Sequence, residues 1–115
     1  MKTFGGRGPL RVPRDKIVHS LLNADHPKGG PKARFFLSFG FDPAMPGVMA
    51  GALIEHFNQN PGVLLPETPT AGERMVVEGP LNAPDSRHPH VHSVWQRDED
   101  PMAWRLVTAV PLVKR

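Results

Sequence analysis

The chain has 115 residues, 39% of them hydrophobic, which is enough for one modest core and not for two. Its longest apolar stretches, such as Val48 to Ile54, fall far short of the ~20 residues that cross a bilayer, no signal-peptide pattern opens it, and with no cysteine there is no disulfide framework, thiolate metal site or cysteine nucleophile. A soluble protein of the cytoplasm, the cell's own or that of a target cell, is expected, and 14 Lys and Arg against 11 Asp and Glu, a formal charge of +3, lean only mildly towards polyanionic partners.

Met1 to Pro13, with glycines at 5, 6 and 8 and prolines at 9 and 13, reads as a flexible start, and 14–115 as a single domain. From Arg14, the apolar residues Ile17, Val18, Leu21 and Leu22 recur at helical spacing, with Asp15 near the start, where a carboxylate complements the helix dipole. The turn from Asn23 to Gly30 closes this helix. Pro31 opens a second, which carries an apolar stripe of Ala33, Phe36 and Leu37 and ends at Phe39, before Gly40. A third starts at Pro46, with Val48 or Met49, Leu53, Ile54 and Phe57 on one face and Glu55 and Asn58 on the other; Asn60-Pro61-Gly62 ends it.

Beyond Gly62 the period falls towards two in four runs: Val63 to Thr68, Glu73 to Glu78, His90 to Arg97 and Trp104 to Val110. They are joined by Ala71-Gly72, by a long segment from Pro80 to Pro89 and by the acidic turn Asp98-Glu99-Asp100-Pro101. Pro66 and Pro69 confine the first run to an edge, and sequential connections favour an antiparallel meander. The expected fold is α+β, with about three N-terminal helices packed on a four-stranded antiparallel sheet.

Such a sheet buries one face beneath the helices and opens the other to water. Alternation in the third strand sets Val91, Ser93, Trp95 and Arg97 against His90, His92, Val94 and Gln96; in the fourth it sets Arg105, Val107 and Ala109 against Leu106, Thr108 and Val110. Trp95 and Val91 are expected inside. His90, His92 and Gln96 then face outward, near Arg87 and near one of Arg105 or Thr108. His88, His90 and His92 offer imidazoles to a metal, with Glu78 or Asp85 as a further ligand, yet no second cluster stands at ligand spacing and solvated histidines explain the same pattern; no cofactor is expected. The turn before the second helix gathers His26, Lys28, Lys32 and Arg34 beside free N–H groups, which favours a phosphate. A glycine turn with solvated lysines fits it equally, since Gly29-Gly30-Pro31-Lys32 lacks P-loop spacing.

The run Leu21-Leu22-Asn23-Ala24-Asp25-His26-Pro27-Lys28-Gly29-Gly30-Pro31-Lys32, continuing through Phe36 and Gly40-Phe41, resembles the start of a bacterial domain family of unknown function. Val77 to Leu81, Pro84 to Arg87, Ser93 to Trp95 and Arg105 to Pro111 fit the same family. Its members stand alone in toxin–antitoxin-like pairs or form C-terminal modules of large secreted toxins and adhesins. The order of helices and then sheet is also similar to the ribonuclease superfamily that unites barnase, EndoU, colicin nucleases and RelE-like toxins.

That resemblance implies RNA bound on the sheet face away from the helices and cleaved without a metal, and a cognate antitoxin or immunity protein as partner. Carried onto matching positions, it makes His26 a general base or acid, sets Lys32 and Arg87 on the scissile phosphate, and gives Thr108 the orienting of that phosphate or of a water. His92, from its predicted face, is a reserve acid. Lys28, Arg34, Arg105, His90 and Gln96 are expected to contact RNA. The chain departs from the family at Ser86, where a Pro-Asp-Gly-Arg turn has glycine, and in its proline-rich first strand. Lys32 and Arg87 could instead tie the helices to the sheet through Asp25, Asp42 or Asp85. The expected function is a metal-independent ribonuclease toxin that leaves a cyclic phosphate. Its rivals are a non-catalytic basic interaction or nucleic-acid-binding domain of a toxin–antitoxin-like pair, and a zinc hydrolase built on His88, His90 and His92.

Overall fold

The computed structural model describes residues 9–28, 30–70, 72–99 and 102–112. Residues 1–8 of the start expected to be flexible over 1–13, and Gly29, Ala71, Asp100 and Pro101 of the expected turns, lie outside them; the rest of that start holds a short strand. Three helices precede most of a five-stranded mixed sheet. Helix α1 begins as an α-helical turn over Arg14–Lys16 and widens into a π-helical turn over Ile17–Leu21, closed by Leu22 N–H donating to the Ile17 carbonyl at 2.8 Å. The wide turn brings Ile17, Leu21 and Leu22 together into the core. Helix α2 (Gly30–Ser38) ends where Gly40 takes φ +101°, a conformation open to glycine at little steric cost. Its Phe36 is buried and meets Phe35 and Phe41 edge-on.

Helix α3 (Pro46–Gln59) starts on proline, whose missing N–H would be unpaired there in any case. It buries Met49, Leu53 and Phe57, as their spacing predicts, together with Ala52 and His56, while the expected Ile54 is half-buried and Val48 is left 42% exposed. Phe57 packs edge-on against Trp95 at 5.0 Å between ring centroids, joining the helix layer to the sheet.

The strands are β1 (Leu10–Arg11), β2 (Gly62–Leu65), β3 (Arg74–Pro80), β4 (His90–Glu99) and β5 (Met102–Pro111), in spatial order β1-β5-β4-β3-β2. The last four form the antiparallel meander; β1 adds a short parallel strand at the β5 edge, pairing Leu10 with Trp104 and Arg11 with Arg105. Two residues between Pro9 and Pro13 show no periodicity, and their strand forms because the β5 edge supplies a template. β2 stops at Leu65, before Pro66, as an edge strand.

A bulge in β5 sets the site. Trp95 pairs with Leu106 but Val94 pairs with Thr108, so Val107 is an extra residue and strict alternation breaks. Leu106 and Ala109, three apart, are both buried beneath the helices with Val91, Ser93 and Trp95. Arg105 and Thr108 consequently lie on the same, outward face, where simple alternation had separated them. Among the described residues, no helix is long and apolar enough to cross a membrane.

Candidate functional site

Lys32 lies in the first turn of α2 and reaches the part of β5 that β1 leaves uncovered. Its ammonium donates to Thr108 Oγ1 at 3.2 Å, joining residues 76 positions apart. The side chain is half-buried, and burial first, then the charge of Lys16, lowers its pKa from the ordinary 10.5. The Thr108 hydroxyl accepts this bond and keeps its own proton to donate to an incoming oxygen.

One diagonal step along the same face stands His92, since His92 pairs with Val110 while Thr108 pairs with Val94. Diagonal neighbours on a sheet face lie ~7–8 Å apart, within the span of one phosphodiester and its ribose. His92 and Glu78 are directly paired across β3 and β4, and His92 Nδ1 lies 2.6 Å from Glu78 Oε2. An ionised carboxylate only accepts, so Nδ1 donates in this contact and Nε2 is the ring nitrogen that Glu78 leaves unengaged. An imidazole oriented by a carboxylate in this way can exchange a proton with a neighbouring hydroxyl.

On the other side of Thr108, the ladder registers align Arg11, Arg105, Gln96 and Arg74 in one row across β1, β5, β4 and β3. Asp98 accepts from Arg105 Nε at 3.0 Å and Nη2 at 3.3 Å, and pairs with Arg11 at 3.5 Å. Between this row and the His92–Glu78 pair run Val63, Val76, Val94 and Thr108. Two sequence-predicted groups, Lys32 with Thr108 and His92, thus meet on the open face, with Arg105 and Gln96 beside them.

The remaining candidates lie elsewhere or are engaged. His26 belongs to the turn leading into α2: its Nδ1 accepts from the Lys28 backbone N–H at 3.1 Å and its carbonyl from Gly30 N–H at 3.0 Å. Arg34 donates to the Ala24 carbonyl across the same turn, and Lys28 is exposed. A Cβ at Gly30 would lie 2.7 Å from the Ala24 oxygen, so glycine is what lets this turn close. Arg87 is at the opposite end of α2, six residues or ~9 Å along the axis from Lys32. There it pairs with Asp85 at 2.6 Å, donates to the Ser38 carbonyl at 2.9 Å and covers the Phe39 ring at 4.2 Å. Its side chain first, and its backbone N–H second, hold the Asp85 carboxyl below the usual range. Asp85 is one of the carboxylates that a purely architectural role required. His90 is half-buried on the outward side, opposite Pro80.

His88, His90 and His92 do not converge. His88 bonds Asn82, which donates to Glu55, while His92 bonds Glu78. Among the described residues, no three His, Asp or Glu side chains gather into a set able to hold a metal ion.

Residues 8–113 match the family described as Domain of unknown function (DUF6883). The chain belongs to this family. The same fold occurs in a chain of the solved contact-dependent growth inhibition toxin–immunity protein complex from Klebsiella pneumoniae 342, with a TM-score of 0.68 and 15% identity over 88% of this chain and 98% of that one. None of the curated proteins matches.

Arg74 and His56 of this DUF6883 chain escaped sequence reasoning, and Glu78 was weighed there only as a metal ligand. Glu78 closes a predicted strand, and its partner is visible only once β3 and β4 are in register. Arg74 likewise gains meaning from its row. His56 sits on the apolar face of α3, where its spacing with Leu53 and Phe57 was the available signal. It is buried, and Nε2–H lies 3.1 Å from both the Gly79 and Val91 carbonyls, while Nδ1 accepts from Ser93 Oγ at 3.2 Å and Ser93 Oγ accepts from Trp95 Nε1 at 2.9 Å. Burial lowers the His56 pKa, the two carbonyls partly raise it again, and nearby His90 lowers it further. This neutral imidazole ties α3 to β3 and β4 beneath the open face, with Asn60 bonded to the Pro80 carbonyl alongside. A Cβ on Gly79 would collide with the Asn60 amide.

Proposed function

We propose that this chain is a ribonuclease toxin whose reaction centre lies on the open sheet face around Thr108. The observation that carries the reading is the meeting of Lys32 with Thr108, one diagonal step from a His92 imidazole held by Glu78. The shared fold with a chain of a toxin–immunity complex supports a toxin and a protein partner that neutralises it.

In this mechanism His92 Nε2 takes the proton of the ribose 2′-hydroxyl, Glu78 steadies the resulting imidazolium, and the 2′-oxygen attacks phosphorus. The bond to the 5′-oxygen breaks, leaving a 2′,3′-cyclic phosphate and a 5′-hydroxyl. Lys32 and the Thr108 hydroxyl face the phosphorane oxygens, where charge builds up. The lowered pKa of Lys32 eases transfer of its proton to the departing 5′-oxygen. His26 and Arg87 act by shaping the two ends of α2, so that Lys32 meets β5.

Inducible expression of the wild-type chain and of His92→Ala in a bacterial host tests the reading. Growth arrest with the wild type, and growth with equally abundant folded variant, is expected. A second reading follows from the same complex, which holds an immunity protein as well as a toxin. No arrest, together with protection from a nuclease encoded beside this gene, would assign the chain to that role.

A further inference from the structure

We propose that the cross-strand row Arg11, Arg105, Gln96 and Arg74 is a second phosphate subsite, which makes the ligand of the open face a single strand of several nucleotides. The proposal rests on reading that face as an RNA site and deepens it. Three guanidiniums stand in one register row, and among the described residues the carboxylate paired with the row is Asp98, which already divides itself between Arg11 and Arg105. The Arg74 side chain makes no ion pair among the described residues, and its buried Nε is without a partner. A buried donor without an acceptor is costly, and a guanidinium that no described carboxylate engages keeps its charge for an arriving phosphate.

Spacing and surface fit a strand. Rows two residues apart along a strand are ~7 Å apart, on the scale of successive phosphates in an extended polynucleotide. The row that Thr108 ends, next to the arginine row, is otherwise apolar, made by Val63, Val76 and Val94, with Val63 63% exposed. Unstacked bases can lie on these valines while their phosphates reach the Lys32–Thr108 pair and the arginine row. A duplex hides its bases and has no use for such a stripe. Gln96, between two arginines, offers both a donor and an acceptor to a base edge.

The test is binding of a fluorescein-labelled single-stranded RNA octamer, followed by anisotropy across a salt series, on full-length protein carrying His92→Ala to suppress cleavage. Adding Arg74→Gln or Arg11→Gln should weaken binding several-fold and reduce the slope of log K against log salt by about 0.7 each, the value for one lost contact to a single strand. Adding Asp98→Asn should act in the opposite direction, an outcome that a merely damaged fold would not give. A dinucleotide, too short to span both rows, should bind equally to all of them. Unchanged octamer affinity and slope in both arginine variants, with circular dichroism showing an intact fold, would overturn the subsite. Row-dependent octamer binding by a protein whose wild type leaves RNA intact would uphold the subsite and remove the nuclease reading; cleavage by the wild type with row-independent binding would do the reverse.

Discussion

Lys32→Met separates chemistry from architecture. Losing the charged hydrogen bond to Thr108 removes about 1.5–3 kcal/mol of favourable interaction. Against this, the substitution deletes a half-buried ammonium whose charged form is disfavoured by burial and by Lys16, and keeps the apolar stem. The two effects oppose one another at similar scale, so urea unfolding should show little net change in stability. The sign with pH follows from the lowered pKa: the destabilising cost is full at neutral pH and is relieved as pH climbs from the folded-state value through 10.5. Wild type should therefore gain stability relative to the variant across that alkaline window. Cleavage behaves differently, because a cation lost from the phosphorane costs about 10²–10³ in rate. Single-turnover cleavage of a fluorogenic RNA would measure it. A folded variant cleaving within threefold of wild type would refute Lys32 as the phosphate ligand, and a collapse of stability would show that it serves chiefly to tie α2 to β5.

Arg87→Ala should lower the thermal midpoint by freeing the β3–β4 connection from Ser38 and Phe39, yet leave cleavage per folded molecule within a few-fold of wild type. Loss of cleavage at unchanged stability would return Arg87 to the reaction centre. Ser86 holds φ +75°, so Ser86→Gly should stabilise the fold by about 1 kcal/mol in denaturant unfolding, and a destabilised variant would contradict the strain argument. His56 is held neutral, its pKa lowered from 6.5, so its contribution to stability is present above 6.5 and is lost as pH falls towards the folded-state value. His56→Leu should flatten that acid limb, whose slope from one proton is at most about 1.4 kcal/mol per pH unit, while lowering stability at neutral pH because the Ser93 hydroxyl loses its acceptor.

Periodicity made the helices and the meander legible because each buries a repeating apolar face: Ile17 and Leu21, Ala33 and Phe36, Leu53 and Phe57, Val91 and Trp95 are all interior. The same alternation placed His92 and Gln96 outward. It could not anticipate the Val107 bulge, an insertion stabilised by ladder partners that a single strand does not reveal, and so it could not place Arg105 and Thr108 on one face. β1 was illegible for a related reason, its two residues being strand only where β5 receives them. The shared role of Lys32, Thr108 and Arg87 on one phosphate was drawn from family resemblance and not from spacing. Their separation into a pair at the start of α2 and a latch at its end depends on the packing of that helix. Ser86 shows the opposite case, a departure from the family's glycine that has a direct conformational meaning.

The central claim is that the open face cleaves RNA, and the direct measurement is incubation of purified wild-type and His92→Ala protein with total RNA in excess chelator, reading the fragments and the chemistry of their 3′ ends. The account predicts discrete fragments ending in 2′,3′-cyclic phosphate with the wild type and intact RNA with the variant. Intact RNA from folded wild-type protein, or fragments equally abundant with the variant, would contradict it.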